Sequence, residues 1–182
     1  MTAIVVTGRS GQAGREQDKD SHHQYLTFML RGEVFAIDIL VIKEIIEYDN
    51  LTDVPMMPDF IRGVINLRGS VVPVVDLAAR FGRARAEITR RTCIVIIEVE
   101  GEEDGETQDV GVVVDAVNAV IEIAANQIEP APAFGAKVRS DFIRGMGKVD
   151  GRFVIILNAN KVLSLDDLAM LERIGAESVH GE

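Results

Sequence analysis

Few side chains in this sequence are of the kinds that catalyse reactions, and their spacing groups none of them into a site. Cys93 is the only cysteine, and the three histidines, His22, His23 and His180, lie towards the two ends of the chain. A metal site needs several ligands close together, and a nucleophile needs a base beside it. The sequence also contains no Gly-x-x-x-x-Gly-Lys phosphate loop and no Gly-x-Ser-x-Gly elbow. We therefore predict that the protein is not an enzyme and that it uses no metal and no cofactor.

The clearest candidate for binding is an arginine at the turn of a predicted β-hairpin. Between Pro58 and Leu77, two runs rich in valine and isoleucine flank the turn Leu67–Ser70, which contains Arg68. Gly69 supplies the positive φ that such a turn commonly needs. An arginine held there offers several directed donors to carbonyl or carboxylate groups, whereas an ordinary core hairpin would leave it merely solvated. The hairpin alone does not decide between these two interpretations.

An internal duplication favours the interpretation that the hairpin belongs to a repeated unit. The pentapeptide Asp59–Gly63 (Asp-Phe-Ile-Arg-Gly) recurs as Asp141–Gly145, an offset of 82 residues (141 minus 59). With the same offset, Gly69 corresponds to Gly151 in a second predicted hairpin, whose return strand is Phe153–Leu157. This period is too long for a stacked solenoid repeat. The sequence therefore predicts two copies of a small β unit.

The repeated hairpin and its neighbours resemble the CheW family, the coupling proteins of bacterial chemotaxis. The run from Ile61 to Leu77 carries the strongest resemblance. Further segments agree in order and spacing, and they are Phe35–Ile45, Val112–Val117 and Gln127–Pro132. Together these segments place most of the chain, from Tyr25 to Leu171, within the resemblance.

The resemblance implies a mainly β fold of two intertwined five-stranded SH3-like barrels, with short helices and a C-terminal helix. A single CheW-like domain would span residues 24–175. Its first barrel would comprise residues 24–86 with 150–175, and its second barrel residues 87–149. The polar segments 1–23 and 176–182 are predicted to be disordered tails.

Hydrophobic periodicity predicts the shorter elements. Strands are expected over residues 25–30, 34–37 and 51–54. Ile39, Ile42, Ile45 and Ile46 fall at helical spacing, which predicts a short amphipathic helix. Asp76 is expected to cap a helix over residues 77–81, and a capping-box pattern at 164–167 is typical of a terminal helix.

Composition and charge disfavour nucleic acid and the membrane as partners. The 182 residues carry a formal net charge of −10, which repels phosphate backbones and anionic lipid. Aromatic residues make up only 5% of the chain, too few for base stacking along a barrel face. No apolar run has the length of a membrane span, and no export signal is recognisable. A small-molecule barrel is harder to exclude, although no cluster of polar groups converges within the apolar strands.

By resemblance, the protein is a non-catalytic adaptor that couples methyl-accepting chemoreceptors to a CheA-type histidine kinase. It would bind the cytoplasmic receptor tip and the kinase regulatory domain, and help to assemble the receptor–kinase array. The receptor-binding groove would include Ile42, Glu44, Gly63, Arg68, Val117 and Val120. Arg68 would either contact the receptor or order the groove through Glu44.

The resemblance also implies a monomer when the protein is alone, located in the cytoplasm and recruited to the inner membrane face through receptors. Direct membrane insertion is not expected. An alternative stays within the family, namely a scaffold for another receptor–kinase pathway that controls surface motility or gene expression.

Overall fold

A computed structural model of the protein describes residues 22–49, 51–101, 105–130 and 140–163. These contain eleven strands: β1 (His22–Leu30), β2 (Glu33–Asp38), β3 (Ile42–Glu47), β4 (Ile61–Leu67), β5 (Ser70–Asp76), β6 (Cys93–Glu100), β7 (Thr107–Val114), β8 (Ala116–Ala124), β9 (Ile128–Glu129), β10 (Ile143–Val149) and β11 (Arg152–Leu157). The helices are short: α1 (Leu77–Arg80), α2 (Ala159–Val162) and single 3₁₀ turns at Ile39–Val41, Ala125–Gln127 and Ser140–Phe142. The prediction of a mainly β fold is therefore confirmed.

The strands form two sheets that use different parts of the chain. The central sheet has the order β3-β6-β7-β5-β4. The terminal sheet has the order β8-β1-β2-β11-β10-β9, and so it combines strands from both ends of the described chain. In each sheet two antiparallel hairpins meet through one parallel pair, which is β5 with β7 or β11 with β2.

The two sheets are built from two copies of one unit that exchange strands. Repeat one, residues 22–80, gives its first hairpin β1–β2 to the terminal sheet and β3, β4 and β5 to the central sheet. Repeat two, residues 93–162, gives β6–β7 to the central sheet and its later strands to the terminal sheet. Each sheet is thus completed by the other repeat, in agreement with the intertwined architecture that the resemblance implied.

Strand registers establish which residues are equivalent in the two repeats. In the central sheet Ile42 lies opposite Ile97, and in the terminal sheet Val117 lies opposite Phe28. Ile45 and Val120 occupy the next matching pair of positions, opposite Val95 and Leu26. The strands β3 and β8 are therefore equivalent edge strands, and both carry a register shift at the same point.

The helix predicted across Ile39–Ile46 is wrong. Only Ile39–Val41 is helical, as a single 3₁₀ turn capped by the Asp38 side chain, and Ile42–Glu47 is strand β3. The error has a physical cause, because the register shift between Ile42 and Glu44 adds one residue to the strand. The extra residue moves the apolar side chains from alternate positions to a spacing that resembles a helix.

Three further expectations change. His22 and His23, assigned to a disordered tail, begin β1 and pair with Ala124 and Ile123. The strand predicted over residues 51–54 is reduced to a single bridge between Thr52 and Val64. The predicted division into residues 24–86 with 150–175 against 87–149 does not match the sheets, because β1 and β2 pair with the later strands rather than with β4 and β5. The remaining tail residues and the predicted terminal helix lie outside the described residues.

One large apolar core joins the two sheets. It contains Phe28 and Phe35 of the terminal sheet together with Val95 and Val112 of the central sheet, all nearly inaccessible to solvent. Each sheet also has one smaller apolar cluster of its own. Burial of this apolar area is the main favourable term in folding. The edge strands β3 and β8 both pack against this core.

Candidate functional site

The candidate site begins at the β4–β5 turn, where Arg68 is held in an unusual backbone conformation. Arg68 has φ of 52° and the following Gly69 has φ of 87°. The side-chain oxygen Oδ1 of Asn66 accepts a hydrogen bond of 2.9 Å from the Gly69 amide. Two successive residues of positive φ form the tight hairpin turn that matches the twist of paired strands. The turn therefore presents the Arg68 side chain in a fixed position.

Arg68 forms an ion pair with Glu44 across the two edges of the central sheet. Its Nη2 lies 2.7 Å from Oε2 of Glu44, which belongs to β3, whereas Arg68 follows β4 at the opposite edge. The Arg68 side chain remains 79% exposed, against 24% for Glu44. An ion pair this open to water stabilises the fold by only about 0–1 kcal/mol. Its main consequence is geometric, because it fixes an accessible guanidinium beside the edge strand.

Gly63 allows the segment that follows β3 to pair with β4 at the edge of the central sheet. The Thr52 amide donates to the Val64 carbonyl and the Val64 amide donates to the Thr52 carbonyl, each at 2.9 Å. Gly63 has φ of 146°, and a Cβ there would overlap the carbonyl oxygen of Thr52. Only glycine fits this approach without displacing backbone. Gly63 is itself buried, and its close neighbour is the Thr52 backbone.

A second polar group lies beside Glu44 on the same strand. Nζ of Lys43 lies 3.0 Å from Oδ1 of Asp109 and 3.5 Å from Oε1 of Glu98. The hydrogen bond to Asp109 raises the pKa of Lys43 above its usual value, and Glu98 acts in the same direction. Lys43 is the extra residue of the bulge, so these contacts hold the irregular part of β3 against its neighbours.

The apolar members of the predicted groove lie on both edge strands. Ile42 is on β3, whereas Val117 and Val120 are on β8 of the terminal sheet. All three are partly buried and pack against the core that joins the sheets. The structure therefore joins Arg68 to Glu44 at the central sheet, and it places Gly63 on β4 of the same sheet. It places Val117 and Val120 on the equivalent edge of the other sheet.

Comparison with known proteins gives these residues a family context. Residues 24–167 match the CheW-like domain. The chain belongs to the CheW family. It is 38% identical over 163 residues to the chemotaxis protein CheW of Bacillus subtilis, covering 90% of this chain and 92% of that protein. It is 34% identical over 151 residues to the chemotaxis protein CheW of Klebsiella aerogenes, with coverage of 83% and 87%.

A solved structure agrees with this assignment. The scaffolding protein TtCheW from Thermoanaerobacter tengcongensis is similar with a TM-score of 0.71 and 33% sequence identity, over 81% of this chain and 91% of that chain. As a CheW family member, the present protein is a non-catalytic chemotaxis adaptor. In general terms, it couples chemoreceptors to the histidine kinase CheA.

Cys93 is the only cysteine of the chain, and it lies partly buried at the start of β6. Burial raises the pKa of the Cys93 thiol, and the Glu47 carboxylate adds to the effect, so the thiol is a poor nucleophile. No three His, Cys, Asp or Glu side chains of the described ranges group as metal ligands. None of the helices in those ranges is long and apolar enough to cross a membrane.

Sequence reasoning missed a buried ion pair beneath the same hairpin of the CheW-like domain. Nε of Arg62 donates to Oδ2 of Asp76 at 2.9 Å, and the Asp76 side chain is inaccessible to solvent. The same carboxylate accepts from the amides of Ala79 and Ala86, while Arg62 also donates to the Ala86 carbonyl. The sequence does contain a signal for this difference between the repeats, because repeat two has Asn158 at the position that matches Asp76. The repeated arginines therefore cannot have the same partner.

Proposed function

We propose that the edge strands β3 and β8, with the Arg68 turn, form the surface that binds the cytoplasmic tip of a methyl-accepting chemotaxis receptor. The observation that carries this proposal is the Glu44–Arg68 pair, which holds an exposed guanidinium at one end of β3. Ile42, Val117 and Val120 would supply the apolar part of the surface. Gly63 would contribute indirectly, by allowing the close approach beneath the turn.

A helical receptor segment suits such a surface. Helices commonly bind by laying an apolar stripe into a groove, while polar groups at the rim set their register. The two edge strands are equivalent in the two repeats, and each carries partly buried aliphatic side chains on a shared core. Apolar contact would supply most of the affinity. Arg68 would set the register of the helix.

The remaining donors of Arg68 support a direct contact. Its hydrogen bond to Glu44 occupies one N–H group of the guanidinium and leaves most of its donors directed to solvent. A receptor helix that presents carboxylate or carbonyl oxygens could accept from these donors without breaking the internal pair. Glu44 would then orient Arg68 rather than compete with the receptor.

The second partner would be the regulatory domain of the CheA-type kinase, bound through surfaces away from the receptor-binding edges. Simultaneous binding of both partners allows coupling through assembly, because a receptor that favours one kinase conformation shifts the kinase population. We propose that the protein works as a monomeric cytoplasmic adaptor, recruited to the inner membrane face through receptors. Its charge of −10 argues against nucleic acid and direct membrane insertion.

The test is co-sedimentation with receptor-containing membranes, with kinase autophosphorylation followed in parallel. The variant Arg68→Glu reverses the charge of the exposed turn. We expect the receptor Kd to rise at least about tenfold, because a central arginine contact commonly contributes 2 kcal/mol or more, roughly thirtyfold. Receptor control of the kinase should weaken in proportion.

Asp150→Arg is the matched control. Asp150 occupies the same turn position in repeat two, with φ of 51°, so the substitution makes an equally large charge change on an equivalent hairpin. Receptor binding by this control should stay near the wild-type value. Equal loss of binding in both variants would overturn the proposal, and so would a large fall in melting temperature for Arg68→Glu alone.

A further inference from the structure

Arg80 lies between the two copies of the repeated pentapeptide. It ends helix α1, and its Cζ is 5.1 Å from the ring centroid of Phe60 and 4.9 Å from that of Phe142. The two phenylalanines occupy equivalent positions, at the start of β4 in repeat one and of β10 in repeat two. A guanidinium placed over aromatic rings is attracted by their π faces, and two rings are engaged here. One side chain thus connects both sheets.

A directed hydrogen bond adds to this contact. Nε of Arg80 donates to the carbonyl oxygen of Val162 at 2.9 Å. Val162 is the residue that stands in the place of Arg80 in repeat two, again 82 positions later (162 minus 80). The bond therefore joins equivalent helix ends of the two repeats. Because repeat two has valine at this position, the connection comes from one side only.

A row of aromatic rings leads from the terminal sheet to Arg80. Ring centroids are 6.1 Å apart for Phe28 and Phe35, 5.6 Å for Phe35 and Phe81, and 6.1 Å for Phe81 and Phe142. Phe142 then faces Arg80. Of the six phenylalanines in the described ranges, five belong to this row or face Arg80.

The large apolar core also connects the sheets, and two further polar contacts lie beside it, from Arg83 to Glu33 and from the Glu100 amide to Asn160. Apolar burial is strong but non-directional, so related packings of the two sheets differ little in energy. A planar guanidinium that faces two rings and donates to a fixed acceptor specifies one arrangement. Since β3 and β8 belong to different sheets, their separation depends on that arrangement.

We propose that Arg80 is a positioning residue that fixes the distance between the edge strands β3 and β8. The consequence for receptor binding rests on the function proposed above, whereas the effect on the distance does not. Arg80 would act through the placement of the two sheets and would not contact the receptor itself.

The first test measures the distance between the two edges directly. Spin labels on Glu47→Cys and Glu122→Cys, in a Cys93→Ser background, report the distance by pulsed electron resonance. Both glutamates are exposed and occupy matching positions, opposite Cys93 on β6 and Gln24 on β1. The wild-type adaptor should give one narrow distance distribution.

Arg80→Met keeps a long apolar stem but removes the cation and the donor. We expect a broader distribution, with far-UV circular dichroism unchanged because each sheet keeps its own hydrogen bonds. Arg80→Lys keeps the cation without the planar face, and it should give an intermediate width. Arg144→Met is the matched control, because Arg144 lies half-exposed and pairs with Asp38 inside the terminal sheet. Its distribution should match the wild type.

The second test measures receptor affinity for the same variants. We expect a higher receptor Kd for Arg80→Met, by at most about five- to thirtyfold, because the energy of the cation–π contact limits how strongly its loss can disfavour the binding-competent arrangement. If Arg80→Met does not fold, Phe60→Leu removes one face of the contact and replaces it in both tests. An unchanged distance distribution in the folded variants would overturn the inference. A changed distribution with unchanged receptor affinity would instead remove the link to the proposed receptor site, so the two failures are distinguishable.

Discussion

The two copies of Asp-Phe-Ile-Arg-Gly lead into equivalent strands, β4 and β10, but place their arginines in different surroundings. Arg62 lies against the buried carboxylate of Asp76, whereas Arg144 reaches the half-exposed surface and pairs with Asp38 at 3.4 Å. Asn158 replaces Asp76 in repeat two, so the buried carboxylate that pairs with Arg62 has no counterpart there. Asp76 and Asn158 still cap α1 and α2 in the same way. The two repeats therefore share the helix cap but differ in the polar partner of the repeated arginine.

The two hairpin turns differ in the same manner. Arg68 and Asp150 have nearly identical φ values, 52° and 51°, and each is followed by a glycine of positive φ. Glu44 lies two residues after Ile42, and the matching position after Val117 is Ala119. The Glu44–Arg68 ion pair therefore joins the two edges of the central sheet. Repeat two has Ala119 and Asp150 at the matching positions, which cannot form such a pair. The difference teaches that the duplicated backbone supplies a frame and that single residues specialise each half.

The largest expected difference between the repeats comes from removing each arginine. Arg62→Met leaves Asp76 buried without a counter-charge, which typically costs about 3–5 kcal/mol of unfolding free energy. Arg144→Met removes an exposed pair and should cost only about 0–1 kcal/mol. Urea denaturation of both variants measures the two values. Similar losses would show that burial does not distinguish the two copies. In that case Asp76→Asn together with Arg62→Met should recover little stability.

A smaller difference is expected between the equivalent glycines Gly63 and Gly145. Gly63→Ala places a Cβ against the Thr52 carbonyl at positive φ, and strain of this kind costs about 1–3 kcal/mol or more. At Gly145 a Cβ would come closest to Cγ2 of the Ile128 side chain, with the Glu129 carbonyl oxygen farther away at 3.1 Å, and the backbone is not at positive φ. Gly145→Ala should therefore unfold at a higher urea concentration than Gly63→Ala. The reverse order would indicate that the β9 pairing is the more rigid of the two closures.

The smallest expected effect concerns the Glu44–Arg68 pair itself. A double-mutant cycle with Glu44→Gln and Arg68→Gln should give a coupling energy of about 0.2–1 kcal/mol, decreasing with added salt, because the pair is exposed. Thermal or urea unfolding of the four proteins measures this value. The cycle built on Ala119 and Asp150, with Ala119→Gln and Asp150→Asn, is the matched control and should give a coupling near zero. A coupling well above about 1 kcal/mol for Glu44–Arg68 would contradict this prediction. It would indicate that the pair mainly stabilises the fold.

Much of the fold could be predicted because its signals are local. The repeated pentapeptide, the hairpin at Arg68 and the Asp76 cap all depend on residues close together in the chain. The helix predicted across Ile39–Ile46 failed for the opposite reason, since a bulge in an edge strand depends on pairing with β6. The hairpin pattern indicated Arg68 as a binding candidate, and the other residues of the site were predicted only through family resemblance. The roles proposed for its six residues in receptor binding remain predictions.

The sequence by itself determined the family, the duplicated β unit and the absence of any pattern typical of a catalytic site. These conclusions rest on residue types and on a fixed offset, which need no knowledge of long-range contacts. Tertiary structure decided which strands are exchanged, which repeated arginine is buried and which turn residue finds a partner. The physical reason is that burial and pairing depend on residues far apart in the chain, such as Arg68 with Glu44 and Arg80 with Phe142. No local pattern specifies which of several equivalent partners will lie within reach.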